Sequence, residues 1–252
     1  DKYVEPQTPI VFVPGHDDQF IWQSQRDGYN HLYLYNTDGK LIRQLTKGEF
    51  VVTEFKGFDK KSERAYYMCT ALSPIDRDLY YVTLSDGKMK RVSGDNGIHS
   101  CYYNPENNEV LDVFSNVNTP RKIKLILPNG SDARTMLTAE NPLSEYELGG
   151  MKINTLQSVS GELLYTRTYC PPVMDSLKQY PVIIYVYGGP HTQLISNSWQ
   201  GGQGDLWFYY LAQEGFIVYT VDGRGSGNRG KQFEQAIFRN CGNAEMEDQL
   251  TG

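Results

Sequence analysis

The chain has 252 residues, 39% of them hydrophobic, 13% aromatic and 21% charged, with a formal net charge of -6. That is material for one large or two ordinary globular domains and excludes a disordered chain. The acidic balance argues against a basic face that grips phosphate, so nucleic acid is not an expected partner. No apolar run approaches the roughly 18 residues of a membrane-crossing helix.

The N-terminal Asp1-Lys2-Tyr3-Val4 has no signal-peptide pattern and opens inside a strand-like region, as a processed or truncated start would. A degenerate repeat follows. His31 to Thr46 carries an alternating strand, the turn Asp38-Gly39 and a second strand; Asp78 to Ser93 repeats this around Asp86-Gly87, and Lys122 to Ser131 more loosely around Asn129-Gly130. Asp-Gly and Asn-Gly are hairpin turns, expected to place both residues at φ > 0. Each hairpin is preceded by a further strand-like run: Gln19 to Trp22, Arg64 to Met68 and Glu109 to Val113. The turns at Asp38, Asp86 and Asn129 recur 48 and then 43 residues apart, close to the length of a four-stranded propeller blade. The alternative is an ordinary β-meander. Three blades cannot close a ring of the typical four to eight, so the expectation is the C-terminal blades of a larger β-propeller.

Composition changes around Asn141 to Gly150, which divides the chain into residues 1–143 and 144–252. Met151 to Val159 and Glu162 to Tyr169 read as antiparallel strands around Ser160-Gly161. The apolar run Pro181 to Tyr187 reads as a buried strand that breaks at Gly188-Gly189-Pro190. Asp205 to Glu214 reads as a helix with Gly215 at its C-terminal cap. Phe216 to Val221 lacks polar alternation before Thr220, which suits a parallel strand covered on both faces. It ends at Asp222-Gly223-Arg224-Gly225. Lys231 to Arg239 reads as a short helix, and Glu245 to Leu250 as the start of another. Strand, glycine loop, helix, strand, glycine loop is the opening half of an α/β sheet that carries chemistry at its loops.

Several local patterns compete for chemistry. Cys69, Cys101, Cys170 and Cys241 form no C-x-x-C pair, so no structural metal site is expected. Cys69 and Cys101 could pair if their strands are neighbours; four buried free thiols is the preferred reading. Asn129-Gly130-Ser131 is a single glycosylation-type triplet, which constrains the compartment little. Gly225, Gly227 and Gly230 have dinucleotide-loop spacing, but Asp222-Gly223-Arg224 intervenes after the strand and the acids at the right distance, Glu245 and Glu247, sit in a helix-like stretch. No cofactor is expected. Ser226 lacks the Gly-x-Ser-x-Gly frame, and His16, His31, His99 and His191 have no evident nucleophile partner, so these 252 residues assemble no Ser-His-Asp triad. Tyr187-Gly188-Gly189-Pro190 stands where an α/β hydrolase supplies half of its oxyanion hole; capping of a core strand by Tyr187 is the plainer alternative.

Taken together, Tyr185-Val186-Tyr187-Gly188-Gly189-Pro190, the turn Asp222 to Gly227 and Glu247-Asp248-Gln249 resemble the prolyl oligopeptidase family of serine peptidases, and within it the dipeptidyl peptidase IV branch, which includes bacterial prolyl tripeptidyl peptidases. The resemblance is specific over residues 150–252, and the propeller-like repeats fit the same family in order and position. It implies a propeller beside a hydrolase domain, with a dipeptide or tripeptide cut from a free N-terminus after proline. It gives Tyr187 the role of oxyanion stabiliser and makes Gly188, Gly189, Pro190, Asp222, Gly223, Arg224 and Gly225 structural loop residues, with Arg224 tied down by charged hydrogen bonds. It places the serine, aspartate and histidine after Gly252 and the acids that hold the substrate amine before Asp1; Glu49, Glu54 and Glu63 offer no place for that role. The chain alone is therefore expected to be inactive. A homodimer and a periplasmic, extracellular or membrane-associated setting are likewise implied by the resemblance. The alternative function is a non-catalytic, peptide- or protein-binding propeller with a degenerate hydrolase domain.

Overall fold

The hairpin-bearing half folds as three consecutive antiparallel sheets in a computed structural model that describes residues 2–3, 9–59, 61, 63–201 and 203–252. The first sheet has β1 (Val11–Val13), β2 (His16–Ser24), β3 (His31–Asn36) and β4 (Leu41–Gln44) in sequence order. The second has β5 (Val52–Asp59), β6 (Arg64–Cys69), β7 (Asp78–Thr83) and β8 (Met89–Arg91), and the third β9 (Ile98–Asn104), β10 (Glu109–Asn116), β11 (Thr119–Ile126) and β12 (Asp132–Thr138).

The three predicted turns are built alike, but not as the dipeptide rule suggests. Only the glycine is left-handed, at φ 84, 72 and 90 for Gly39, Gly87 and Gly130. The preceding side chain works instead as an acceptor: Asp38, Asp86 and Asn129 each take the backbone N–H two residues on, at 3.0, 3.0 and 2.9 Å. A short polar side chain thus does locally what a second left-handed residue would otherwise do.

Side-chain alternation stacks the sheets. On β6, Ala65, Tyr67 and Cys69 join the core shared with Ile21, Leu32 and Leu34 of the first sheet. The intervening Tyr66 and Met68 join the core shared with Cys101, Val110 and Ile126 of the third. A strand with period 2 and both faces apolar must be covered on both sides, so the second sheet lies between the other two. The same alternation separates Cys69 from Cys101, and all four cysteines are free thiols. Cys69 and Cys101 are buried as expected, but Cys170 is half-buried and Cys241 exposed, because Cys241 lies in the surface turn before the last helix.

Residues 139–150 contain no strand or helix. Beyond them, β13 (Met151–Gln157), β14 (Leu163–Tyr169), β15 (Val182–Ile184) and β16 (Ile217–Asp222) form a mixed sheet in the order β13-β14-β16-β15. Helix α1 (Gln203–Gln213) ends before Gly215, at φ 90, and packs Phe208 and Ala212 on Tyr169 and Val218. Phe233, from the short helix α2 (Lys231–Glu234), covers Leu164 and Val221 on another part of the sheet. The predicted single helix to Arg239 instead becomes a 3-10 turn over Gln235–Ile237, and α3 (Asn243–Thr251) closes the chain.

A further expectation is overturned. The apolar run Pro181 to Tyr187 is not a buried strand: β15 is three residues long, with Val182 and Ile184 56% and 55% exposed. Among the described residues it is the sheet's edge, bonded to β16 alone; Ile183 is half-buried and Tyr185 meets Phe208, but Val182 and Ile184 lack cover.

Candidate functional site

Because β15 and β16 run parallel, both glycine loops leave the sheet at the same end. This is the crevice beyond the carboxyl ends of parallel strands, where α/β sheets carry ligands and chemistry. Backbone pairing extends one residue past β15, with Tyr185 N donating to Tyr219 O at 2.8 Å. The chain then turns at Gly188, φ 65.

Tyr187 is 60% exposed at the rim of this end of the sheet. A side chain at Gly189 would place its Cβ 2.4 Å from Tyr187 Cε1, so the glycine makes room for the ring. The resulting hollow, about 20 Å³, is lined by Tyr187, Gly188, Gly189, Thr192, Ser226 and Glu245, among others. It is far below the size of a substrate-binding pocket. Tyr187 is thus a phenol held at a surface by its own loop and not a cap sealed into the core.

The two loops are stitched together. Asp222, buried at the end of β16, accepts Leu194 N–H at 3.0 Å and Ile195 N–H at 2.8 Å. Burial pushes its carboxyl above the usual range, opposed by those two amides and by Arg167 and Arg229. His191, at φ 62, donates its N–H to Gly225 O at 2.8 Å. A Cβ on Gly227 would meet His191 O at 2.6 Å, so the loops touch backbone to backbone. Arg224 anchors the glycine loop from below. Its Nη2 donates to Asp248 at 2.9 Å and also to Glu247, and its backbone N–H donates to Asp248 at 2.6 Å. Those bonds, Asp248 first, hold the guanidinium well above its ordinary pKa.

The glycine spacing that resembles a dinucleotide fingerprint is filled by protein. Cβ atoms at Gly225, Gly227 and Gly230 would strike Ile237 Cδ1, His191 O and Tyr29 Cε1 at 2.5 to 2.6 Å. A fingerprint glycine opens space for pyrophosphate; these three admit close packing. Ser226 Oγ is buried without a hydrogen-bond partner among the described residues, and no histidine bonds to it. His31 pairs with Thr46, His99 with Asp112, and His191 with Tyr3.

The residues that sequence reasoning missed lie between the halves. Asn197 N donates to Ile75 O at 2.9 Å and its amide to Asp76 at 2.8 Å; Gln193 meets Pro74 and Arg77. Nothing local marks Gln193 or Asn197, since their partners are more than 100 residues away in the chain.

Fold and site define a class: stacked four-stranded antiparallel sheets followed by the opening of an α/β sheet with a tyrosine-glycine loop at the carboxyl ends of its parallel strands. Residues 1–121 match the dipeptidyl peptidase IV (DPP IV) N-terminal region, and residues 204–252 match the prolyl oligopeptidase family. The chain belongs to the prolyl oligopeptidase family, in its dipeptidyl peptidase IV branch, and the three antiparallel sheets are blades of that branch's β-propeller. A probable dipeptidyl-aminopeptidase B of Trichophyton verrucosum is 30% identical over 265 residues, covering 98% of this chain and 29% of that protein. The crystal structure of a Bacteroides ovatus protein assigned as a dipeptidyl aminopeptidase IV superposes with a TM-score of 0.91 at 37% identity, over 99% of this chain and 38% of that one. Porphyromonas gingivalis dipeptidyl peptidase 4 gives 0.86 at 26% identity, over 96% of this chain and 34% of that one. The chain thus spans under a third of the length of the Trichophyton verrucosum relative.

Proposed function

We propose that these residues are part of a serine exopeptidase that releases dipeptides or tripeptides from peptide N-termini after proline, through an acyl-enzyme. Residues 1–143 would be the propeller part and 144–252 the N-terminal part of the catalytic domain. A serine supplied by a longer chain attacks the scissile carbonyl, and the Tyr187 hydroxyl donates to the oxygen as it becomes negative. A donor already in place stabilises that charge without reorganising in the transition state. The observation that carries this reading is the placement of Tyr187: an exposed phenol at the carboxyl end of a parallel strand, on a glycine loop pinned to the neighbouring glycine loop. Relatives named as dipeptidyl peptidases support the substrate class. The 252 residues contain no Gly-x-Ser-x-Gly elbow, so by themselves they are proposed to be inactive. A homodimer and a setting outside the cytosol belong to the same proposal.

The test is Tyr187→Phe in the full-length protein, assayed on an Xaa-Pro chromogenic substrate. Loss of one oxyanion donor lowers kcat by about 10²-fold, with KM changed little. An unchanged kcat removes Tyr187 from the mechanism.

A further inference from the structure

The loop that carries Tyr187 is held from a second direction, by the propeller. Six residues after Tyr187, Gln193 bonds both to a blade loop and to the glycine loop. Its side-chain oxygen accepts Arg77 Nη2 at 2.7 Å and Asn228 Nδ2 at 2.9 Å, and its amide nitrogen donates to Pro74 O at 2.9 Å. Two donors use both lone pairs of that oxygen, which fixes the amide plane.

Arg77 is an unusual anchor. Its backbone joins the second and third sheets: Arg77 N donates to Gly97 O and His99 N donates to Arg77 O, each at 3.0 Å. The guanidinium is therefore presented from the seam between two blades and not from a swinging loop. Its Nη1 folds back onto Pro74 O at 2.9 Å and Asp76 O at 2.7 Å, leaving Nη2 aimed at Gln193. No carboxylate forms a salt bridge with Arg77 among the described residues, so the fork is spent on two carbonyls and one side-chain amide. On the far side Asn228, left-handed at φ 66, is held by Glu234 through its N–H at 3.0 Å. Gln193 is clamped between two elements that are each fixed by other bonds.

We propose that Gln193 and Arg77 are positioning residues for Tyr187: the propeller, through the Arg77 fork on Gln193, sets where the Tyr187 loop stands against the sheet. The proposal rests on the oxyanion reading of Tyr187. It adds that the blade seam acts on the chemical step. A displacement of about 1 Å at a catalytic donor is enough to lower the rate by one to two powers of ten.

A double-mutant cycle in the full-length protein tests it. Gln193→Ala lowers kcat about tenfold with KM within twofold, and Arg77→Ala does the same. In the Tyr187→Phe background, Gln193→Ala costs less than a further twofold, because the group it positions has gone. Gln193→Glu keeps the acceptor for Arg77 and Asn228 but loses the donor to Pro74 O, so it lowers kcat less than Gln193→Ala does, whereas Arg77→Lys keeps the charge, loses the fork and lowers kcat as Arg77→Ala does. This second pair carries the comparison if the alanine variants do not fold. If Tyr187→Phe leaves kcat unchanged, the oxyanion reading falls and the positioning role falls with it. If Tyr187→Phe lowers kcat but Gln193→Ala lowers it equally in both backgrounds, or not at all, the positioning role alone is overturned.

Discussion

Replacing Asp248 by alanine strands the Arg224 guanidinium beneath the glycine loop. Asp248 is fully buried and receives the Arg224 backbone N–H at 2.6 Å, Nε at 3.1 Å and Nη2 at 2.9 Å. The arginine side chain is 14% exposed, so water cannot replace what is lost. Breaking a buried pair by removing one partner costs about 3–5 kcal/mol. Arg224 would keep Glu247 and a 3.4 Å bond to Ala244 O, which places the expected loss near the lower limit, about 3 kcal/mol. At about 2–4 °C per kcal/mol for a chain of this size, Tm should fall by roughly 6–12 °C. Glu247→Ala is the internal control: its carboxylate is 44% exposed, and an exposed pair is worth about 0.2–1 kcal/mol. Thermal melting of wild type and both variants, with and without about 0.5 M salt, separates them. Salt should erase the Glu247 effect and leave most of the Asp248 effect. Equal shifts for the two variants would refute the claim that Arg224 is held by a desolvated pair.

The two buried histidines should give stability opposite pH slopes. His99 faces only acceptors, Asp112 through Nδ1 and Asp95 O through Nε2, at 2.9 and 2.8 Å, so both nitrogens carry hydrogen and the ring is charged. Burial opposes that charge, but Asp112 and the Asp95 carbonyl outweigh it and the pKa is raised. Its contribution is therefore complete below about pH 6.5 and is lost as pH rises through the folded value. His31, bonded to Thr46 Oγ1 and Gly48 O, has its pKa lowered mainly by burial, so its contribution is lost as pH falls below about 6.5. Urea melts from pH 5 to 8 should show the slope above 6.5 flattened in His99→Gln and the slope below it flattened in His31→Gln; an unaltered slope in either variant contradicts its assigned protonation. Cysteine labelling is the simplest check on the core. Burial pushes Cys69 up to about 12 and Cys101 well above its ordinary value, while Cys241 is exposed. Native iodoacetamide should modify Cys241 first and spare Cys69 and Cys101 until unfolding; modification of either in the native state would mean that the sheets do not stack as described.

The elements that were readable in advance are those fixed by short-range rules. Asp38-Gly39, Asp86-Gly87 and Asn129-Gly130 each turn a hairpin, because glycine accepts φ > 0 and the polar neighbour bonds locally. Gly215, likewise left-handed, ends α1. The run Pro181 to Tyr187 misled because hydrophobicity measures what a strand would prefer to bury, and an edge strand is covered only if something lies beside it. The fingerprint-like glycines show a related limit: spacing alone cannot say whether a ligand or Ile237, His191 and Tyr29 fill the space.

By itself the sequence determined the three hairpins, the strand before each and the two glycine loops, since each follows from residues within a few positions of one another. It could not determine that Arg77 would meet Gln193, that Asp222 would hold the amides of Leu194 and Ile195, or that Tyr66 and Tyr67 would face different cores. Those pairings join groups far apart along the chain, and only the packing of whole sheets decides which distant donor reaches which acceptor.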